Sequence, residues 1–233
     1  MTVWELIKAD RFEEACLEAD RRFAAGSLSD ELNKAIALLK LGRFNEAEFQ
    51  CKRSQDRPER SRWGDVQGEW DLLGVAQWLQ NKREAATESW KRSMEAKYVD
   101  LSGGAGSRLL LFYGAKAQKA PDVETLALRS LETFVGRNGW PAPLASFVLG
   151  RIREGDVGDW ISPIEALRCK ESCQAEFYFG ILEKDPAKRV QHLWKAAYDF
   201  VPSSYTKPEH HLAVFEFHES NKKIGKVKES DKL

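Results

Sequence analysis

Four cysteines, four histidines and one glycine-serine run are the residues of this 233-residue chain whose types invite chemistry. Cys169 and Cys173 stand four apart, on one face of any helix that spans both. Zinc would need two further ligands in reach. No second Cys/His pair at regular spacing supplies them, so both read as core or partly exposed thiols. His211 and His218 are seven apart with His210 adjacent, whereas a helical two-histidine metal pair sits at i,i+4. His192, close to Trp194, reads as a surface or boundary residue. The run Ser102-Gly103-Gly104-Ala105-Gly106-Ser107 has the flexibility to cradle a phosphate. It lacks the Lys-Ser/Thr of a P-loop and a preceding strand, so it reads as a linker and helix start. There is no G-x-S-x-G nucleophile context, and no carboxylate pair has a reason to converge. These residues predict no enzymatic activity, no metal and no cofactor.

The elements that must position these residues are helical. Glu69 to Met94 reads as two amphipathic helices joined by a turn at Gln80-Asn81-Lys82. Trp70, Leu73, Gly74 and Gln77 share one stripe of the first, and Ala86, Trp90, Ser93 and Met94 share one stripe of the second. The small residues Gly74, Ala86 and Ser93 let the backbones approach, while Trp70 and Trp90 fill the space beside them. Upstream, Arg11 to Ala15 opens a helix that Gly26 ends, and Leu41-Gly42-Arg43-Phe44 forms another tight turn before Ala47. Ala15 and Ala47 are 32 positions apart, and Ala47 and Ala86 are 39 apart. The excess falls in the polar insertion Arg53–Gly64, whose Pro58 blocks a helix.

This order of large, small, turn, small and large residues resembles the tetratricopeptide repeat, W-x2-L-G-x2-Y, turn, A-x3-F, with a period near 34 residues. Trp70, Leu73, Gly74, Ala86 and Trp90 match it; Gln77 departs where Tyr is usual, and Asn81 replaces the turn glycine. The later motifs C-x-A-x-F-Y-F-G (Cys173–Gly180), L-W-K-A-A and H-H-L-A-V-F-E are similar to NlpI-type bacterial tetratricopeptide adaptors. Those proteins hold others together, have no chemistry of their own and carry a lipid anchor. Asp185 and Pro186 mark a helix start as N-cap and first helical residue.

The resemblance implies an all-α, right-handed helical solenoid of antiparallel helix pairs with an irregular middle. Its parts are N-terminal repeats over 1–97, a helical middle segment over 98–168, a C-terminal repeat and closing helix over 169–221, and a disordered tail over 222–233 with five lysines. In such a scaffold the first helix of each pair lines a concave groove. The alignment places Ile36, Leu39, Lys40, Val75, Trp78, Phe179 and Leu182 there as partner-binding residues. The bland reading of Trp78 is a core residue packed on its neighbours.

Charge and composition narrow the function. Thirty-six basic residues balance 36 acidic ones at pI ≈ 6.9, which argues against a dedicated nucleic-acid or membrane-surface protein. No segment approaches the apolar length of a membrane span. The start MTVWELIKADRFEE shows neither a secretion signal nor a lipoprotein anchor, and the scattered cysteines fit reduced thiols, so the expected location is cytoplasmic. The expected function is a non-enzymatic module that binds a protein or peptide partner in its groove. A bacterial toxin-immunity protein or dedicated chaperone is its narrower form. The alternatives are a nucleotide-binding protein or enzyme using Ser102–Ser107, and an RNA-binding adaptor using Arg53–Arg62 with the lysine tail.

Overall fold

The computed structural model describes residues 1–27, 30–55, 66–97, 99 and 103–230, with side chains as far as Lys223. Thirteen α-helices and no β-strand occur among these residues. They are α1 (Val3–Lys8), α2 (Phe12–Ala24), α3 (Glu31–Lys40), α4 (Phe44–Gln55), α5 (Gln67–Leu79), α6 (Arg83–Met94) and α7 (Ala105–Gln118) in the first half. The second half holds α8 (Pro121–Glu132), α9 (Ala142–Val148), α10 (Glu154–Val157), α11 (Glu165–Leu182), α12 (Pro186–Tyr198) and α13 (Pro208–Ser230). The all-α expectation is met, and consecutive helices pack as adjacent pairs.

The pairs share one turn. α1, α3, α5 and α7 each end on a residue with positive φ: Asp10, Gly42, Asn81 and Lys119. In each case two backbone N–H groups just past the helix reach back to its last orphan carbonyls, as in Arg43 to Leu38 and Lys82 to Gln77. Glycine adopts this conformation without steric cost, and asparagine tolerates it at Asn81. The next helix begins two residues later, and in the first three pairs a fully buried alanine (Ala15, Ala47 or Ala86) follows five positions after the turn. The sequence signal for a tight turn and a small residue thus reports the local geometry directly.

Close approach is densest where α5, α6 and α7 meet. The Trp90 indole is fully buried and lies against two backbones. A methyl group built on Gly74 would stand 2.2 Å from Trp90 Nε1, and one on Gly114 would stand 2.6 Å from its outer ring. Glycine at both positions is therefore a requirement of packing, not of chain bending. Trp90 Nε1 donates to the Asp71 carbonyl at 3.3 Å, so its one polar group is satisfied inside. Ser93 Oγ bonds the Asp71 carboxylate at 2.6 Å and Ser107 Oγ at 2.9 Å, which ties α5 and α6 to the start of α7. Ser107 belongs to the glycine-serine run read above. In the structure it is buried in helix packing, and Ser102 lies outside the described residues.

The middle is irregular: α9 and α10 are short and are followed by a 3-10 turn at Gly158–Trp160. After this break α11 runs without interruption, because no proline or glycine falls between Glu165 and Phe179. Asp185 caps α12 as read, accepting from the Ala187 and Lys188 N–H groups. Helix α13 runs into the lysine-rich stretch as far as Ser230, and residues 231–233 lie outside the described residues.

The two ends of the chain meet. α13 packs on α12 and α11 and also on α5. Tyr205, just before α13, donates to Asp10 at 2.7 Å and sets its ring edge-on to Phe12 at 5.8 Å. Lys40, at the end of α3, reaches His210 at 3.2 Å. These contacts bridge 195 and 170 positions of sequence.

Candidate functional site

α13 does more than cover an end. Its face lies between α3–α4–α5 on one side and α6, α7 and α12 on the other, and leaves an opening on each flank. Phe215 and Glu219 line both openings and form the wall between them.

The first opening, about 490 Å³, has an apolar floor of Leu39, Phe44, Leu79, Val214 and Phe215. His218, Glu219 and Lys222 stand on its rim. At its inner side are the buried His210 and His211. Lys40 Nζ donates to His210 Nε2, which makes that nitrogen the unprotonated one, and His211 Nε2 donates to the Tyr205 carbonyl at 2.9 Å. Lys40 Nζ also sits 4.2 Å from the Tyr205 ring centroid, a cation–π contact. Burial lowers the Lys40 pKa, with Asp10 opposing it. Burial, with the neighbouring His211 and Lys40 charges, drives the His210 pKa well below the usual histidine value. Burial and Lys40 bring His211 down to about 3. Both imidazoles are therefore neutral supports of the groove wall at physiological pH.

The second opening, about 700 Å³, is lined by Trp78, Tyr113, Ile181 and Phe215 together with charged side chains. Arg83 lays its guanidinium 3.8 Å over the Trp78 ring. Tyr113 Oη donates to Glu216 at 2.8 Å, and Arg189 pairs with the same carboxylate at 3.1 Å. Burial, with Glu216 beside it, pushes the Tyr113 phenol well up, so it stays a hydrogen-bond donor.

Of the seven residues assigned to a groove from sequence, Leu39 and Lys40 line the first opening and Trp78 the second. Trp78 is 2% exposed, with its ring 5.0 Å from Tyr113 and 5.5 Å from Trp90. The packed alternative describes its position, with one edge turned to the cavity. Ile36 and Val75 are buried in the core. Phe179 is buried edge-on to Phe147 at 4.9 Å, and Leu182 packs half-buried on the core; neither lines an opening. The residues missed are on α13. His211, Val214, Phe215, His218 and Lys222 recur at offsets of three and four, a stripe visible in the sequence once a partner face is sought for it.

Most of the reactive side chains are tied into structure, while Cys169 is half-buried. Burial pushes the Cys51 thiol up to about 12 and the Cys16 and Cys173 thiols up as well, so all three are protonated and inert. Cys173 Sγ donates to the Ala196 carbonyl. His192 bonds Glu176 at 2.6 Å on the outside of α11 and α12. No group of three or more His, Cys, Asp or Glu among the described residues is placed to hold a metal ion. No described helix is long and apolar enough to cross a membrane. Of the arginine-rich insertion, Arg53 stacks over Phe23 at 4.3 Å and pairs with Glu31 at 3.4 Å, and 56–65 lie outside the described residues. No family model, curated protein or solved structure matches the chain.

Proposed function

We propose that this chain is a tetratricopeptide-like adaptor that binds one protein partner, as a helix or peptide, without catalysing a reaction. The observation that carries the reading is the first opening. Five apolar side chains from α3, α4, α5 and α13 floor a groove whose rim is charged and exposed, the usual anatomy of a helix-in-groove site. The repeated pair turn at Asp10, Gly42, Asn81 and Lys119 supports the repeat assignment, and the right-handed superhelix is part of the same proposal. Inert buried thiols and neutral structural histidines favour binding over catalysis. A single masked partner, as for an immunity protein or dedicated chaperone, is the narrower form. It suits a groove that accommodates one short element.

Site-directed photo-crosslinking tests this. A benzophenone amino acid at His218, on the groove rim, is compared with one at Leu126, which is exposed and lines neither opening. The expected result is one stoichiometric partner crosslinked from position 218 alone and lost in folded Leu79→Glu. A substoichiometric spread of proteins from both positions counts against the adaptor.

A further inference from the structure

Among the described residues, the second opening is lined by more cationic than anionic side chains. Its wall carries Arg83, Lys116, Arg189 and Lys223 against Glu216 and Glu219. Glu216 is occupied by Tyr113 and Arg189, and Glu219 accepts from Lys222 at 2.8 Å. Lys116 and Lys223 have no ion-pair partner among the described residues. Arg83 is the most constrained of the four. Its guanidinium is stacked on Trp78 and faces the Phe215 ring at 5.3 Å, and Nε donates to Asn81 Oδ1 at 3.2 Å. Among the described residues its Nη1 is buried without a hydrogen-bond partner, and none of their carboxylates hydrogen-bonds the group. Glu216 and Glu219 act on it only through space, and burial lowers its pKa.

A guanidinium that is partly desolvated, rigidly stacked and short of acceptors is poised for an oxyanion, because its planar fork matches carboxylate and phosphate oxygens. Stacking fixes its orientation, so little side-chain entropy is lost when an anion arrives. The volume of about 700 Å³ falls within the size range of small-molecule sites. Trp78, Ile181 and Phe215 add apolar surface for the body of such a ligand.

We propose that this cavity binds a small organic oxyanion, a phosphate or carboxylate, with Arg83 as its anchor and Lys116 and Lys223 screening the remaining charge. The site is separate from the apolar groove and does not depend on the adaptor reading.

The Trp78 ring under Arg83 is the reporter. The full chain is labelled with 5-fluorotryptophan, and the Trp78 ¹⁹F resonance is assigned by Trp78→Phe. Inorganic phosphate and glutarate are then titrated separately at ionic strength held constant with chloride. The expected result is a saturable shift of that resonance by one or both probes. Phosphate alone identifies a phosphate site, glutarate alone a carboxylate site, and both a general oxyanion site. Arg83→Gln should abolish the shift. Lys116→Gln leaves the stack intact and should weaken the apparent affinity about two- to threefold, as for a partly exposed charge. Absence of saturation with both probes overturns the proposal. So does a saturable shift retained in folded Arg83→Gln, or one untouched by Lys116→Gln should Arg83→Gln not fold.

Discussion

Two regions hold this molecule together by different means. Around Trp90, helices α5, α6 and α7 interlock chiefly by shape: an indole lies on two glycines, with Trp78 and Tyr113 against it, and the Ser93 bonds to Asp71 and Ser107 lie beside it. Where α13 returns, α3, α11, the α1–α2 turn and the segment before α13 are joined by buried and part-buried polar groups. Lys40 bonds His210, Tyr205 bonds Asp10, and Glu209 accepts from Gln174 at 2.8 Å. Gln174 in turn accepts from Trp140 Nε1 at 2.8 Å. Packing by shape is indifferent to pH and intolerant of volume change. A polar closure is the reverse, since it depends on which groups carry protons.

The largest expected effect is Trp90→Ala. Emptying the interlock should cost about 3–5 kcal/mol, and at roughly 2–4 °C per kcal/mol for a chain of this size calorimetry would show a large fall in Tm. A change under about 1 kcal/mol would mean that neighbouring rings refill the space, and would break the contrast. Gly114→Ala tests the same contact by overfilling and should cost about 1–3 kcal/mol. It should do so equally at pH 7 and pH 5.5.

Acid should act on the other region. In the unfolded chain both histidines take up a proton near pH 6.5, but in the folded protein they are held neutral. The stability tied to their neutral form is complete above about pH 6.5 and is lost as pH falls toward the folded values, about 3 for His211. Each histidine contributes a slope of up to about 1.4 kcal/mol per pH unit in that window. Urea unfolding at pH 7, 6 and 5 should show it, and His211→Asn should remove one histidine's share. A flat profile across that range would sink the idea of a neutral-histidine closure. A second window opens lower. Burial works to raise Glu48, but hydrogen bonds from Lys52, Lys82 and Gln80 outweigh it and hold its pKa at about 2, so that contribution is lost only as pH falls from about 4.5.

The smallest effect expected is at Asp185→Ala. This removes the α12 N-cap bonds to Ala187 and Lys188, for about 1 kcal/mol. Hydrogen exchange should then rise in the first turn of α12 while the α5–α7 amides stay unchanged, keeping the regions separable.

Legibility followed range. Asn81, Gly42 and Gly26 mark helix ends because a left-handed residue is a local requirement, and Asp185 marks a helix start because its cap bonds reach only two and three residues on. Gly74 and Trp90 are 16 positions apart, within one helical pair, and the repeat pattern was enough to bring them together. The groove was harder. Ile36 and Val75 sit on the expected helices, yet they are buried, and Phe179 packs on Phe147, because burial depends on what lies opposite. Opposite α3 and α5 lies α13, which sequence order placed over the end of the stack.

The sequence by itself determined the all-α class, the tight turns at Gly42 and Asn81, the helix end at Gly26, the cap at Asp185 and the small-large complementarity of the α5–α6 pair. All of these rest on interactions spanning a few turns of chain. Only the tertiary structure decided that α13 folds back between the two flanks and that its Phe215 divides two openings. It also decided that Arg83 is stacked beside a surplus of cations. The bonds that bring α13 and the segment before it into place, Tyr113 to Glu216 and Tyr205 to Asp10, join residues 103 and 195 positions apart, and periodicity specifies which face a helix buries but not against which distant helix it is buried.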